Sequence, residues 1–382
     1  MQCNLCGSDQ ITKLGTVGQK PVSVTSDSKT CTLPAVIYFC QKCRHVQKVH
    51  SPAELALIHN MYENYEGHYL SGGTEQLVFP TGQPPRPRTY HAIERCLSLL
   101  PPRGRLLDIG SGNGAVLKSA ARLLPDWRLH AFDLSNKYET EIREIPHVDT
   151  FSYESLENLP AGKFNLIALW HVLEHVPDAA DFLLQLRERL TTNGFLLMQV
   201  PDLDRTPFDL AVIDHVSHFT KHRLLDLCQS SGFTLLLDGQ EWVHNCITLL
   251  FKSEFTTRGF DSAANSNPAN YFHWLTRTVN SFECETADRD YAIFGTGMAG
   301  IWLSTQLSRK PIFFVDEDCA RVGNQIAGIP IIMPEDLPAG VDLVMGFTRG
   351  NGENIAHKIQ QLYPSCESCR FLISPPFITG QR

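Results

Sequence analysis

Short apolar runs and amphipathic segments alternate along two stretches of this chain. In the first, Arg105 to Ile109 predicts a buried strand and Ala115 to Leu124 a helix. Arg128 to Phe132 and Phe164 to Leu169 predict two more strands. Ala179 to Leu190 has helical period, and Gly194 to Val200 is again strand-like. His222 to Ser231 predicts a helix, and Phe233 to Leu237 with Ile247 to Phe251 supplies the closing strands. Strand and helix in regular alternation predict a parallel sheet covered on both faces. The polar stretch Thr256 to Pro268 breaks the pattern. Beyond it, a helix over Tyr271 to Glu283 leads into a second unit: strand Tyr291 to Phe294, helix Met298 to Leu307 and strand Ile312 to Val315. The first 50 residues lack helical period and read as short strands and turns, and 52–100 read as partly helical.

At 382 residues the chain has material for two or three domains. Against 33 Lys and Arg stand 41 Asp and Glu, a net charge of −8 with no long basic run. A nucleic-acid backbone is a poor partner for such a chain, and a small molecule is the expected one. No apolar stretch has transmembrane length and no signal-peptide pattern opens the chain, so a cytoplasmic protein is expected, with no membrane partner. Its oligomeric state is left open.

Twelve cysteines change the picture. Cys3 and Cys6 have CxxC spacing, as do Cys40 and Cys43. Two such knuckles offer the four thiolates that tetrahedral Zn²⁺ takes, and four cysteines leave no open position for water, so a structural role is expected. Cys31 is a spare that competes as a ligand. Cys366 and Cys369 have no second pair nearby and read as reduced surface thiols.

The run Leu106-Leu107-Asp108-Ile109-Gly110-Ser111-Gly112-Asn113-Gly114 joins an apolar strand, a carboxylate and three alternating glycines to a helix. That order suits S-adenosylmethionine (AdoMet). Glycines let the backbone approach the methionine part, and Asp108 meets the ammonium. Asp133, at the end of the next strand, can accept both ribose hydroxyls. The turn reads GxGxG with an acid ahead of it, where dinucleotide binders have GxGxxG, which favours AdoMet over NAD. A second turn, Gly295-x-Gly297-x-x-Gly300 with Asp316 after the next strand, is a dinucleotide fingerprint when taken alone, or a nucleotide-type scaffold with its ligand lost.

Asp108 to Gly114 resembles motif I of class I methyltransferases. Phe164 to Asp178 resembles their strand-four segment, "FDLI…VLEHVPD", with Asn165 in place of Asp. The resemblance implies that Trp170 and His171 border the cofactor and that Phe151 lies near the adenine. Glu174 and His175 read as a structural pair that starts a helix and hydrogen-bonds the loop.

The whole chain resembles the three-domain sugar C-methyltransferases. These have a zinc-binding head (residues 1–55 here), a Rossmann-like methyltransferase domain with a tyrosine-rich lead-in (56–255) and a Rossmann-like C-terminal domain (256–382). Cys40 to Gln47 resembles their second knuckle "CxxCGLVQ", with Arg44 for glycine. Tyr62 to Glu66 with Tyr69, Ser71 and Gly72 resembles their lid. Asp214 to Thr220 resembles their "EHLSYF" segment, preceded here by Val212-Ile213 where the family often has Tyr-His.

The resemblance implies C-methylation of a nucleotide-linked keto-sugar or related metabolite. His215 would be general base, with Asp214 beside it and Tyr65 and Tyr69 as donors to an enolate. It also implies a C-terminal unit that holds substrate without nicotinamide. O- or N-methyl transfer on a small metabolite is the alternative, and a non-catalytic zinc-ribbon assembly protein is a third.

Overall fold

The computed structural model describes residues 1–63, 73–80, 82, 84–254 and 269–377. Its central sheet has seven strands. Their spatial order is Val148–Tyr153, Trp127–Asp133, Gly104–Ile109, Phe164–Trp170, Leu190–Pro201, Cys246–Ser253 and Phe233–Asp238. The first five run parallel, whereas Cys246–Ser253 is antiparallel to both of its neighbours. The expected all-parallel sheet is therefore mixed. The turn from 239 to 245 is too short for a crossover helix, so these two strands pair as a hairpin. Leu106, Leu107 and Ile109 are buried because helices cover both faces of the sheet. Strand order reverses between Gly104–Ile109 and Phe164–Trp170, and the crevice at their carboxyl ends is where an open α/β sheet binds ligands.

A second sheet holds Gln325–Ile326, Ile329–Ile332, Phe313–Val315, Tyr291–Phe294, Asp342–Met345 and Phe371–Ile373 in that order. It is parallel apart from the hairpin 325–332. The helix before it runs Ala269–Thr286 and buries Trp274, Val279 and Phe282.

The N-terminal sheet pairs Ile11–Thr16, Val36–Cys40 and Val46–Gln47 antiparallel, and its last member is Ser217–His218 from far along the chain. Val24, Ile37, Phe208, Ile213, Trp274 and Trp302 share one apolar core. The N-terminal strands, the segment after Pro201 and the C-terminal unit therefore pack as neighbours. Cys31 lies in that core, and its sulfur accepts from the Leu33 amide. Cys366 is fully buried and donates toward the Pro334 carbonyl, so the expectation of a surface thiol fails there. Among the described residues no helix is long and apolar enough to cross a membrane.

Candidate active site

The strand Gly104–Ile109 delivers Asp108 to the crevice, and the chain then turns through Gly110 (φ 70°) and Gly112 (φ 48°) before the helix Ala115–Leu123. Both values lie in the left-handed region that favours glycine. A Cβ on Gly110 would stand 2.5 Å from Val172 Cγ2, whereas a Cβ on Gly112 would meet nothing within 4 Å. Gly110 is thus required by the protein's own packing. At Gly112 the space beside the backbone is open.

Asp108 is buried, and neither carboxylate oxygen has a hydrogen-bond partner among the described residues. Burial, joined by the charge of Asp133, pushes it well above the ordinary aspartate value of 3.8. A buried acid without an internal partner is costly unless a ligand satisfies it, and an ammonium group would do so. Asp133 accepts from the Gly112 amide at 2.8 Å and from the Ser135 amide at 3.2 Å. The acid at the end of one strand thereby fixes the turn at the end of the next. Phe151 is buried on the neighbouring strand, opposite Ala131. Trp170 ends the strand on the other side of Gly104–Ile109, with its indole N–H buried and unpartnered among the described residues.

The loop after Trp170 joins two sites. Val172 packs on Gly110 at one end. At the other, Leu173–His175 form a 3-10 turn, and the His175 ring meets the His215 ring edge-on at 4.7 Å. His171, at the strand's carboxyl end, has φ 56°. Its Nδ1 lies 3.0 Å from Glu174 Oε1 and its Nε2 lies 3.1 Å from Gln199 Oε1. Arg88 Nη1 lies 3.3 Å from the same Nε2. Glu174 and His175 do brace the loop, since the Glu174 carbonyl accepts from Val216 and His175 Nδ1 donates to the Asp214 carbonyl at 2.9 Å. They also border His215.

His215 is buried and donates from Nδ1 to Asp209 Oδ1 at 2.6 Å. The other Asp209 oxygen accepts from His218 Nδ1 at 2.5 Å. With its proton on Nδ1, His218 presents a lone pair on Nε2, and buried Lys48 donates to it at 2.6 Å and to the His215 carbonyl at 3.0 Å. Burial opposes a charge on His215, but Asp209, Glu174 and Asp214 together hold it above the ordinary histidine value. His218 is the reverse case. Burial and the Lys48 charge lower it to about 4.

Asp214, expected either to orient His215 or to be a neighbouring pocket residue, gives its carboxylate to the Ser26 amide and hydroxyl, which donate at 2.9 and 2.5 Å, and stands near His215 as a neighbouring charge. Asp209 is the orienting acid. The chain register explains the difference: the five-residue turn Pro207–Ala211 swings Asp209 beneath both histidines, while the Ile213 amide is tied to the Val24 carbonyl and aims Asp214 at the N-terminal strands. Lys48 was missed because it is distant in sequence from what it serves, and Asp209, only six residues before His215, because nothing in the sequence marks which nearby acid turns toward the ring. The only hint was a lysine among Val46 and Val49. Tyr65 and Tyr69 lie outside the described residues.

The four knuckle cysteines converge, with all sulfurs within 4.8 Å of one another. Cys3 and Cys43 sulfurs lie 3.4 Å apart, and those of Cys6 and Cys40 lie 3.7 Å apart. Arg223 donates to the Cys43 carbonyl at 3.0 Å, linking this corner to the helix after His218.

Residues 86–237 match the family model described as "Methyltransferase domain". The chain carries a methyltransferase domain. Over 63 residues the chain is 41% identical to the release factor glutamine methyltransferase of Neisseria gonorrhoeae, covering 16% of this chain and 23% of that protein. Over 132 residues it is 30% identical to the ubiquinone biosynthesis O-methyltransferase of Xanthomonas axonopodis pv. citri, covering 32% of this chain and 53% of that protein. The chain thus spans from about a quarter to about half the length of these relatives. Among solved structures, 1,6-didemethyltoxoflavin-N1-methyltransferase of Burkholderia thailandensis superposes with a TM-score of 0.40 at 16% identity, over 55% of this chain and 96% of that one. An S-adenosylmethionine-dependent methyltransferase of Clostridium acetobutylicum gives 0.37 at 14%, over 53% and 98%.

Proposed function

We propose that the protein is an AdoMet-dependent methyltransferase that methylates an acidic carbon beside a carbonyl, on a nucleotide-linked keto-sugar or a related small metabolite. One observation carries the reading. The loop 171–176 touches Gly110 of the cofactor turn at one end and His215 at the other, so a base and a methyl donor would share one crevice. Asp108 would hold the ammonium, Gly110 and Gly112 the backbone approach, Asp133 the ribose hydroxyls, and Phe151 and Trp170 the flanks of the ligand. His171, turned toward Glu174, would hold the loop. When bound, AdoMet supplies an electrophilic methyl group.

Making the acceptor carbon nucleophilic is the task of the chain. His215 keeps its proton on Nδ1 against Asp209, which leaves the Nε2 lone pair to take the proton from the carbon. The electron pair of the broken C–H bond then resides on the enolate, where Tyr65 and Tyr69 are the proposed donors. Asp214 shapes the loop through Ser26.

Cys3, Cys6, Cys40 and Cys43 would hold one structural zinc. Bonds of about 2.3 Å in a tetrahedron put sulfurs about 3.8 Å apart, near the observed separations. Asp316 accepts from the Thr296 amide and hydroxyl and pairs with Arg321, which leaves little of it for a nicotinamide ribose. The C-terminal turn is therefore read as bracing the fold or facing the nucleotide of the substrate.

A screen of nucleotide sugars with AdoMet, read by mass spectrometry, tests the substrate class. Solvent deuterium entering the acceptor's α-carbon would mark a carbon acid. Methylation with no such exchange would favour oxygen or nitrogen as acceptor, as the names of the two relatives suggest.

A further inference from the structure

We propose that Glu174, His175 and His215 form a second metal site, for a divalent transition metal such as Zn²⁺ or Co²⁺. One ligand atom from each side chain lies within 4.8 Å of the others, and no residue of the cysteine cluster takes part. Two imidazoles and a carboxylate are a donor set that binds zinc while leaving positions open to water or substrate.

The hydrogen bonds around the trio prepare it. The Asp209 carboxylate fixes the His215 proton on Nδ1, and the Asp214 carbonyl does the same for His175. Each ring then carries its lone pair on Nε2. Glu174 gives Oε1 to His171, while Oε2 is buried with no hydrogen-bond partner among the described residues. Ligating histidines nearly always donate their other N–H to a carboxylate or a carbonyl, and ligating carboxylates are held in the same way. All three side chains meet that requirement. A buried carboxylate oxygen left without a donor costs free energy that a cation would remove.

Binding stands apart from the proposed reaction. Its effect on turnover rests on that reading: a metal on His215 Nε2 occupies the lone pair that would take the proton, so a loaded site is an inactive one.

The test uses the full chain, stripped of loosely bound metal and titrated with Co²⁺. Thiolate-to-cobalt charge transfer reports the cysteine site, and weaker ligand-field bands with calorimetry report a nitrogen and oxygen site. Wild type is expected to take an ion of the second kind. Cys3→Ser should keep it, and Glu174→Gln and His175→Asn should lose it while keeping the thiolate signal, which also shows that they fold. Asp209→Asn should bind it about 10- to 100-fold more weakly. Absence of a non-thiolate ion in wild type, or its retention in both Glu174→Gln and His175→Asn, overturns the site. Failure of His215 as base would instead leave the cobalt stoichiometry unchanged and appear only in turnover.

Discussion

Lys48, fully buried at the end of the N-terminal sheet, donates to His218 Nε2 at 2.6 Å, and through Asp209 that contact reaches His215. The strand Val46–Gln47 pairs with Ser217–His218 directly beside it. The cysteine-bearing module therefore supplies a positioning group to the loop that carries the proposed base. Lys48→Met should leave two buried acceptors without a donor and cost about 1–3 kcal/mol. It should also let the His218 imidazole titrate nearer its ordinary value, because one of the charges that depresses it is gone. Denaturant melts and an NMR titration of the histidines check both parts. An unmoved His218 titration would show that the contact has no electrostatic consequence.

The pH dependence of turnover follows from His215. Base catalysis needs the neutral ring, and this ring is held above 6.5 by its carboxylate neighbours. Turnover should rise with pH through a midpoint above that value. Asp209→Asn removes the nearest charge, so the midpoint should move to lower pH, with lower turnover at the plateau. The stability linkage runs the other way: the contribution of His215 is complete below the unfolded value and is lost as pH rises through the folded one. His215→Ala should cost on the order of a hundredfold in turnover and keep AdoMet affinity, read by calorimetry.

The two turn glycines separate stability from binding. In Gly110→Val the new side chain would meet Val172, so melting temperature and AdoMet affinity should fall together. In Gly112→Val the neighbours leave room, and the cost to the fold is the left-handed backbone, about 1–2 kcal/mol. AdoMet affinity should still be lost. Normal calorimetric affinity in a folded Gly112→Val protein would remove this turn from the cofactor site.

Losing one knuckle thiolate should act at a distance. Cys43→Ser should release the proposed zinc and loosen the module, since metal binding and folding are coupled in small modules. Because Arg223 donates to the Cys43 carbonyl and the adjoining strand pairs with Ser217–His218, turnover should fall as well. AdoMet affinity should be retained, because the turn at Gly110 touches none of these groups. Elemental analysis, calorimetry and a turnover assay on one preparation distinguish the outcomes.

What the sequence by itself determined was local. Buried strands, their helices, the glycine turn with Asp108 and the paired knuckles are encoded within a few residues of one another, where apolar period and CxxC or GxGxG spacing act directly. Strands such as Tyr291–Phe294 fall where the pattern put them. What only the tertiary structure decided was long-range. The handing of Ser217–His218 to the N-terminal sheet, and the drawing of Asp214 to Ser26 that leaves His215 to Asp209, depend on which segments share a buried neighbourhood. Lys48 shows the reason most clearly. A charged side chain enters a core only where a distant acceptor compensates its desolvation, and the compensating imidazole, His218, lies 170 positions along the chain.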